Sequence, residues 1–199
     1  MRGIGWIGLA ALSAWVAAAP AEAAAGGFIA NFMGAEPSKT AESFACFNRV
    51  YDPAHLASHP QQNVKTMTLL AVLDPANPDE VQLRFGVAFR SRKGMLETNG
   101  GCAVVSGEGG AAPSPTTAHC NVDCDGGAID VSLKTDGNVL VAIPAGARLW
   151  KPGSDNPDDN VHGAFGSDDK LFRLDRAALD QCLPLAADKN EKARLKSGH

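Results

Sequence analysis

Between positions 81 and 90 the chain keeps a strict two-residue rhythm. Val81, Leu83, Phe85, Val87 and Phe89 alternate with Gln82, Arg84, Gly86, Ala88 and Arg90. Successive side chains of a strand point to opposite faces, so this segment is a strand with one face buried. A chain that contains it must build a sheet and supply an apolar layer against that face. The neighbouring residues offer more of the same. Residues 64–73 are a run of Thr, Met, Leu and Val closed by the turn-formers Asp74-Pro75-Ala76-Asn77-Pro78-Asp79. That order predicts an antiparallel pair with 81–90. Ile129, Val131 and Leu133 alternate with Asp130, Ser132 and Lys134; Thr135-Asp136-Gly137-Asn138 turns the chain and 139–143 returns, a second hairpin.

Residues 147–151 and 170–174 are further strand candidates. The acidic, Asn- and Gly-rich stretch 153–169 between them reads as a long surface loop. Helical signals are brief. Asp52 before Pro53, with Pro60 as the stop, predicts one short helix, and Asp175 is placed to cap another that runs to Cys182. Short strands between turns, without alternating long helices, make the chain mostly β. The expected fold is an antiparallel β-barrel of lipocalin-like size or a β-sandwich, with short peripheral helices and disulfide stabilisation. Periodicity does not choose between barrel and sandwich.

The ends differ from the middle. Arg2, an apolar run across 4–19, Pro20 and Ala21-Glu22-Ala23 have the order of a cleavable secretory signal peptide, assigned to residues 1–25. The apolar run is shorter than the roughly 20 residues that span a bilayer. The mature protein is therefore expected in the periplasm or outside the cell. Residues 26–43 show little periodicity and read as a flexible N-terminal segment, 44–186 as a single β-rich domain, and 187–199 as a disordered charged tail. Removing the leader takes away one Arg and one Glu, so the net charge stays at -4. A mildly acidic chain without a basic stripe lacks a nucleic-acid surface. No second long apolar run is present, so no stable membrane insertion is expected after cleavage.

All five cysteines, Cys46, Cys102, Cys120, Cys124 and Cys182, lie beyond the leader. In an oxidising compartment they read as disulfide candidates, with one left over. On a strand, Cys120, Val122 and Cys124 share one face, while His119, Asn121, Asp123 and Asp125 share the other. Four residues of strand separate Cys120 from Cys124 by roughly 13 Å, beyond disulfide reach. Cys102 is therefore expected to pair with Cys120 or Cys124. A Cys46–Cys182 bond would close a loop worth about 5 kcal/mol by chain entropy. Zinc at His119, Cys120 and Cys124 is disfavoured, because the strand turns His119 away from the two thiols.

Other motifs lack their context. Gly107-x-Gly109-x-x-Ala112 has the letters of a dinucleotide fingerprint, but Pro113 and Pro115 follow where a helix must begin. His55 and His59 share a helix face without the glutamate of H-E-x-x-H. Asp155, Asp158, Asp159, Asp168 and Asp169 lack calcium-loop spacing and read as a solvated acidic loop. Ser106 misses the first glycine of G-x-S-x-G. No catalytic residue, cofactor or metal ligand is assigned. The expectation is a non-enzymatic exported domain that binds a small ligand or an extracytoplasmic protein, through a barrel mouth or the loops 107–115 and 153–169. Two alternatives stand beside it. One is a cell-envelope hydrolase in which His119 or His162 meets an aspartate in a cleft; the other is an inhibitor of a secreted enzyme that presents a disulfide-braced loop.

Overall fold

The computed structural model describes residues 21–104, 117–122, 126–154, 161 and 165–198, except for the side chains of 21–26 and 104. Its strands are β1 Ser43–Val50, β2 Val64–Leu73, β3 Val81–Phe89, β4 Leu96–Val104, β5 Thr117–Val122, β6 Ala128–Leu133, β7 Val139–Ala142 and β8 Leu171–Ala177. Each pairs antiparallel with the next, and β8 returns to pair with β1. The result is a closed eight-stranded barrel, which decides between the two architectures and leaves no free sheet edge. Both expected hairpins are present, β2–β3 and β6–β7.

The alternation that identifies β3 in the sequence turns Val81, Leu83, Phe85, Val87 and Phe89 inward, where β1, β2 and β5–β8 send residues of the same kind. Phe47, Met67, Leu69, Val131, Val139, Val141 and Leu174 all have 0% exposure. A lumen wide enough for water would leave accessible surface on them. The interior is packed with side chains instead.

β2 is buried on both faces, which is why its sequence is a continuous apolar run and not an alternation. Its outer face lies under a second layer, a 3₁₀ helix at Leu179–Leu185 and helix α3 at Lys189–Ser197. Phe44, Cys46, Leu70, Val72, Cys182, Leu185 and Leu195 form the core between barrel and layer. The expected disordered tail is thus largely helix. Asp188 caps α3 by accepting from the amides of Asn190 and Glu191, and Glu191 and Leu195 bury one turn apart. Its charge-rich composition hides that short stripe.

The N-terminal reading is corrected in the same way. Helix α1, Ala21–Met33, occupies the first part of the segment expected to be flexible, and Phe28, Ile29, Phe32 and Met33 are buried in the barrel core. Phe28 stacks on Phe32, and Phe32 on Phe47, with centroids 5.4 and 5.3 Å apart. α1 packs on β1 and β6, walls separated by β7 and β8, so it lies across one end of the barrel. Arg176, on the inward side of β8, places its guanidinium 4.7 Å from the Phe47 ring. The same group donates to the Asn31 and Phe32 carbonyls, both at 3.0 Å. A cation at the carbonyl end of a helix is favourably placed.

Two smaller expectations also shift. Asp175 lies within β8, and the helical turn that reaches Cys182 starts only at Leu179. The 147–151 candidate reduces to isolated bridges, Leu149 to Val161 and Trp150 to Glu97. β4, Leu96–Val104, carries Asn99-Gly100-Gly101 inside the strand. A Cβ on Gly100 would come within 2.2 Å of the Asn121 carbonyl oxygen, so close approach of β5 requires glycine there. Among the described residues, no helix is long and apolar enough to cross a membrane.

Candidate functional site

At the barrel end away from α1 the chain leaves β1 at Val50, passes through helix α2, Pro53–Ser58, and returns in β2. The Tyr51 amide donates to the Lys65 carbonyl at 2.9 Å and fixes this crossing. Asp52 caps α2 by accepting from the His55 amide at 2.8 Å, as its place before Pro53 predicts. That hydrogen bond holds its carboxyl below the usual carboxylate range.

The two histidines of α2 do share a face. Tyr51, His55 and His59 form one ladder of stacked rings, with centroids 4.7 and 4.2 Å apart, and the Arg49 guanidinium lies 5.6 Å from the Tyr51 centroid. The hydrogen bonds assign the tautomers. Buried Gln62 spends its Nε2 on the Val64 carbonyl, so its Oε1 faces His55 Nε2 at 3.0 Å and that nitrogen carries the proton. His59 Nδ1 lies 2.9 Å from the His55 carbonyl and also donates. Each ring thus commits a protonated nitrogen to holding the helix. Among the described residues, no group of three or more His, Cys, Asp or Glu could hold a metal ion.

Between α2 and the adjoining ends of β1, β2 and β3 is an open groove of about 420 Å³, within the range of small-molecule sites. Val50, Leu56 and Ala57 make its apolar part, and Tyr51, Lys65 and Arg90 border it. Arg90 Nη1 donates to the carbonyls of Leu56 and Gln62, both at 3.2 Å, and so ties α2 to the end of β3. Burial pushes the Tyr51 hydroxyl up; Arg49 opposes the shift, and Asp169 and Asp175 add to it, so the phenol stays protonated. Sequence inspection misses this site because Val50, Leu56, Lys65 and Arg90 converge only through strand register.

No protein-family model, curated protein or solved structure matches this chain.

The cysteines and the other sequence candidates fall as follows. Cys46 and Cys182 are bonded, with 5.9 Å between Cα atoms, and pin the 3₁₀ helix to the outer face of β1. Cys102 and Cys120 are direct cross-strand partners inside the barrel and are bonded, with Cα atoms 4.0 Å apart. Cys124 lies outside the described residues, as do Ser106, the glycine motif at 107–112, His162, Asp155, Asp158 and Asp159. His119 turns outward, opposite to Cys120, and its Nδ1 meets Asp130 Oδ1 at 2.5 Å across β5–β6. The side chains are 44% and 42% exposed, so this pair is solvated where the hydrolase reading wants it enclosed. Next to it, Thr117 and Ser132 bond each other at 3.0 Å.

Asp169 departs furthest from the solvated acidic loop. It is 0% exposed and accepts from the amides of Asn63 at 2.8 Å, Gly166 at 2.7 Å and Val64 at 3.3 Å. A carboxylate so enclosed by backbone donors is a staple between the β7–β8 connection and β2.

Proposed function

We propose that this is an exported, non-enzymatic domain that binds its partner on the outside of a filled barrel and not in a lumen. The observation that carries this reading is the interior itself: inward side chains from every strand are buried, those of Phe47, Met67, Leu69, Val131, Val139, Val141 and Leu174 with no accessible surface, and Phe28 and Phe32 of α1 add to the same core. Export is supported by the leader-like N-terminus and by two disulfides, which persist in oxidising compartments. The test is to titrate the exported chain with 1-aminoanthracene, an apolar probe for barrel cavities, while recording methyl NMR spectra. Methyls of Val131, Val141 and Leu174 are expected not to move. Saturable one-to-one shifts of those methyls would overturn the reading.

A second reading, inhibition of a secreted enzyme, is favoured by one observation. The Cys102–Cys120 bridge braces the base of the connection between β4 and β5, residues 105–116. Bracing lowers the entropy lost when such a segment docks. Replacing 105–116 by a short glycine linker should abolish inhibition of a panel of secreted hydrolases; inhibition that survives the replacement removes this reading.

A further inference from the structure

We propose that the groove between α2 and the ends of β1–β3 binds a small amphiphilic carboxylate, a free molecule with an apolar body and one anionic head. The proposal deepens the outside-binding reading and rests on it.

Val50 carries the first part of the case. It is 65% exposed, one of two large apolar side chains left exposed among the described residues, and it stands in the groove beside Leu56 and Ala57. A single exposed valine needs no explanation. One that shares a concave wall with a leucine and an alanine forms an apolar bed. The second part is charge. Lys65 and Arg90 border the bed, none of the residues lining it is acidic, and among the described residues no ion pair links either cation to a carboxylate. The chain as a whole is acidic, with a net charge of -4, so this pairing of cations with apolar surface runs against its average. An anionic head gains from both cations while the body covers Val50 and Leu56.

The third part is preorganisation. Arg90 is held by two carbonyls, and the α2 wall is fixed by the Asp52 cap and the Tyr51–His55–His59 ladder. A site already shaped loses little freedom on binding. The volume of the groove, about 420 Å³, fits one small molecule.

The experiment titrates the exported chain with octanoate, with octanol as the same tail without charge, and with anionic phospholipid vesicles, each followed by amide NMR. Octanoate is expected to give saturable one-site shifts at Val50, Leu56, Ala57 and Thr66. Octanol should bind about three- to fivefold more weakly, the worth of a solvent-exposed charge contact. K65Q should bring octanoate close to octanol while leaving octanol unchanged. V50D, which puts a carboxylate into the bed, should abolish octanoate binding with the remaining spectrum preserved. Equal binding of octanol and octanoate, octanoate binding unchanged by V50D, or shifts induced by vesicles alone would each overturn the proposal. If the groove amides stay silent and the interior methyls also stay fixed, only this inference falls. If the interior methyls shift instead, the outside-binding reading falls with it.

Discussion

β1–β3 and β5–β7 line the same interior, but their outer faces meet different surroundings. The first wall is covered by the 3₁₀ helix and α3; the second presents Thr117, His119, Asp130 and Ser132 to solvent. Each wall carries a side-chain pair of nearly equal length, the Arg84–Glu191 ion pair at 2.6 Å and the His119–Asp130 hydrogen bond at 2.5 Å. Glu191 is 4% exposed and also accepts from the Ala187 amide, whereas both members of the second pair are two-fifths exposed. Equal geometry therefore does not mean equal worth. The second layer turns a surface contact into a structural one.

The disulfides test this division most severely. Cys46–Cys182 joins the layer to the barrel over a sequence separation of 136, while Cys102–Cys120 joins neighbouring strands over 18. Chain entropy then assigns about 5 kcal/mol to the first and about 3 kcal/mol to the second. Denaturant unfolding of C46S/C182S and C102S/C120S should show losses in that order. A larger loss for the second pair would mean that the layer docks without its covalent pin.

Breaking the covered ion pair comes next. E191A leaves the Arg84 guanidinium without its carboxylate partner and the Ala187 amide without its acceptor, at a cost of about 2–3 kcal/mol. The loss should appear as fraying of α3, read from exchange of the Leu195 amide, before the barrel itself opens. On the bare wall, a double-mutant cycle of H119A and D130A should give a coupling below about 1 kcal/mol. A coupling as large as that of Arg84 with Glu191 would erase the contrast between the walls.

The same division governs what could be read from the residues. β3, β2 and the β6–β7 hairpin are legible because period-2 patterns and turn residues depend on local geometry. Strand geometry alone leaves Cys102 to pair with Cys120 or Cys124, and the cross-strand register chooses Cys120. What stayed hidden is what long-range packing supplies. Phe28 and Phe32 look like stray aromatics until the barrel end offers them a place, and Glu191 and Leu195 look like part of a charged tail until Arg84 and the β2 outer face meet them. Asp169 reads as one more loop acid because nothing in its neighbours announces three backbone amides. The groove is of this kind too. The histidines and N-cap of the α2 helix that walls it are visible in the sequence, but Lys65 and Arg90 reach it through the pairing of β1, β2 and β3.

The smallest expected effect lies at the margin between the two walls. Burial raises the Glu97 carboxyl above the ordinary glutamate value of 4.5, and Arg84 pulls it partly back down. A carboxyl raised in the folded state contributes fully below the unfolded value and loses that contribution as pH rises through the folded one. Ionised Glu97 is therefore slightly unfavourable at neutral pH. E97Q should raise the melting temperature at pH 7 by less than any change above, and the gain should vanish near pH 3.5, where the native carboxyl is already neutral. A lower melting temperature at pH 7, or the same gain at both pH values, would show that the side chain matters for something other than its charge. Arg84 links this effect to the covered wall. With Glu191 removed, the guanidinium loses its hydrogen-bonded carboxylate while its charge still acts on Glu97 and Asp188, so the E97Q gain at pH 7 should shrink or change sign in an E191A background.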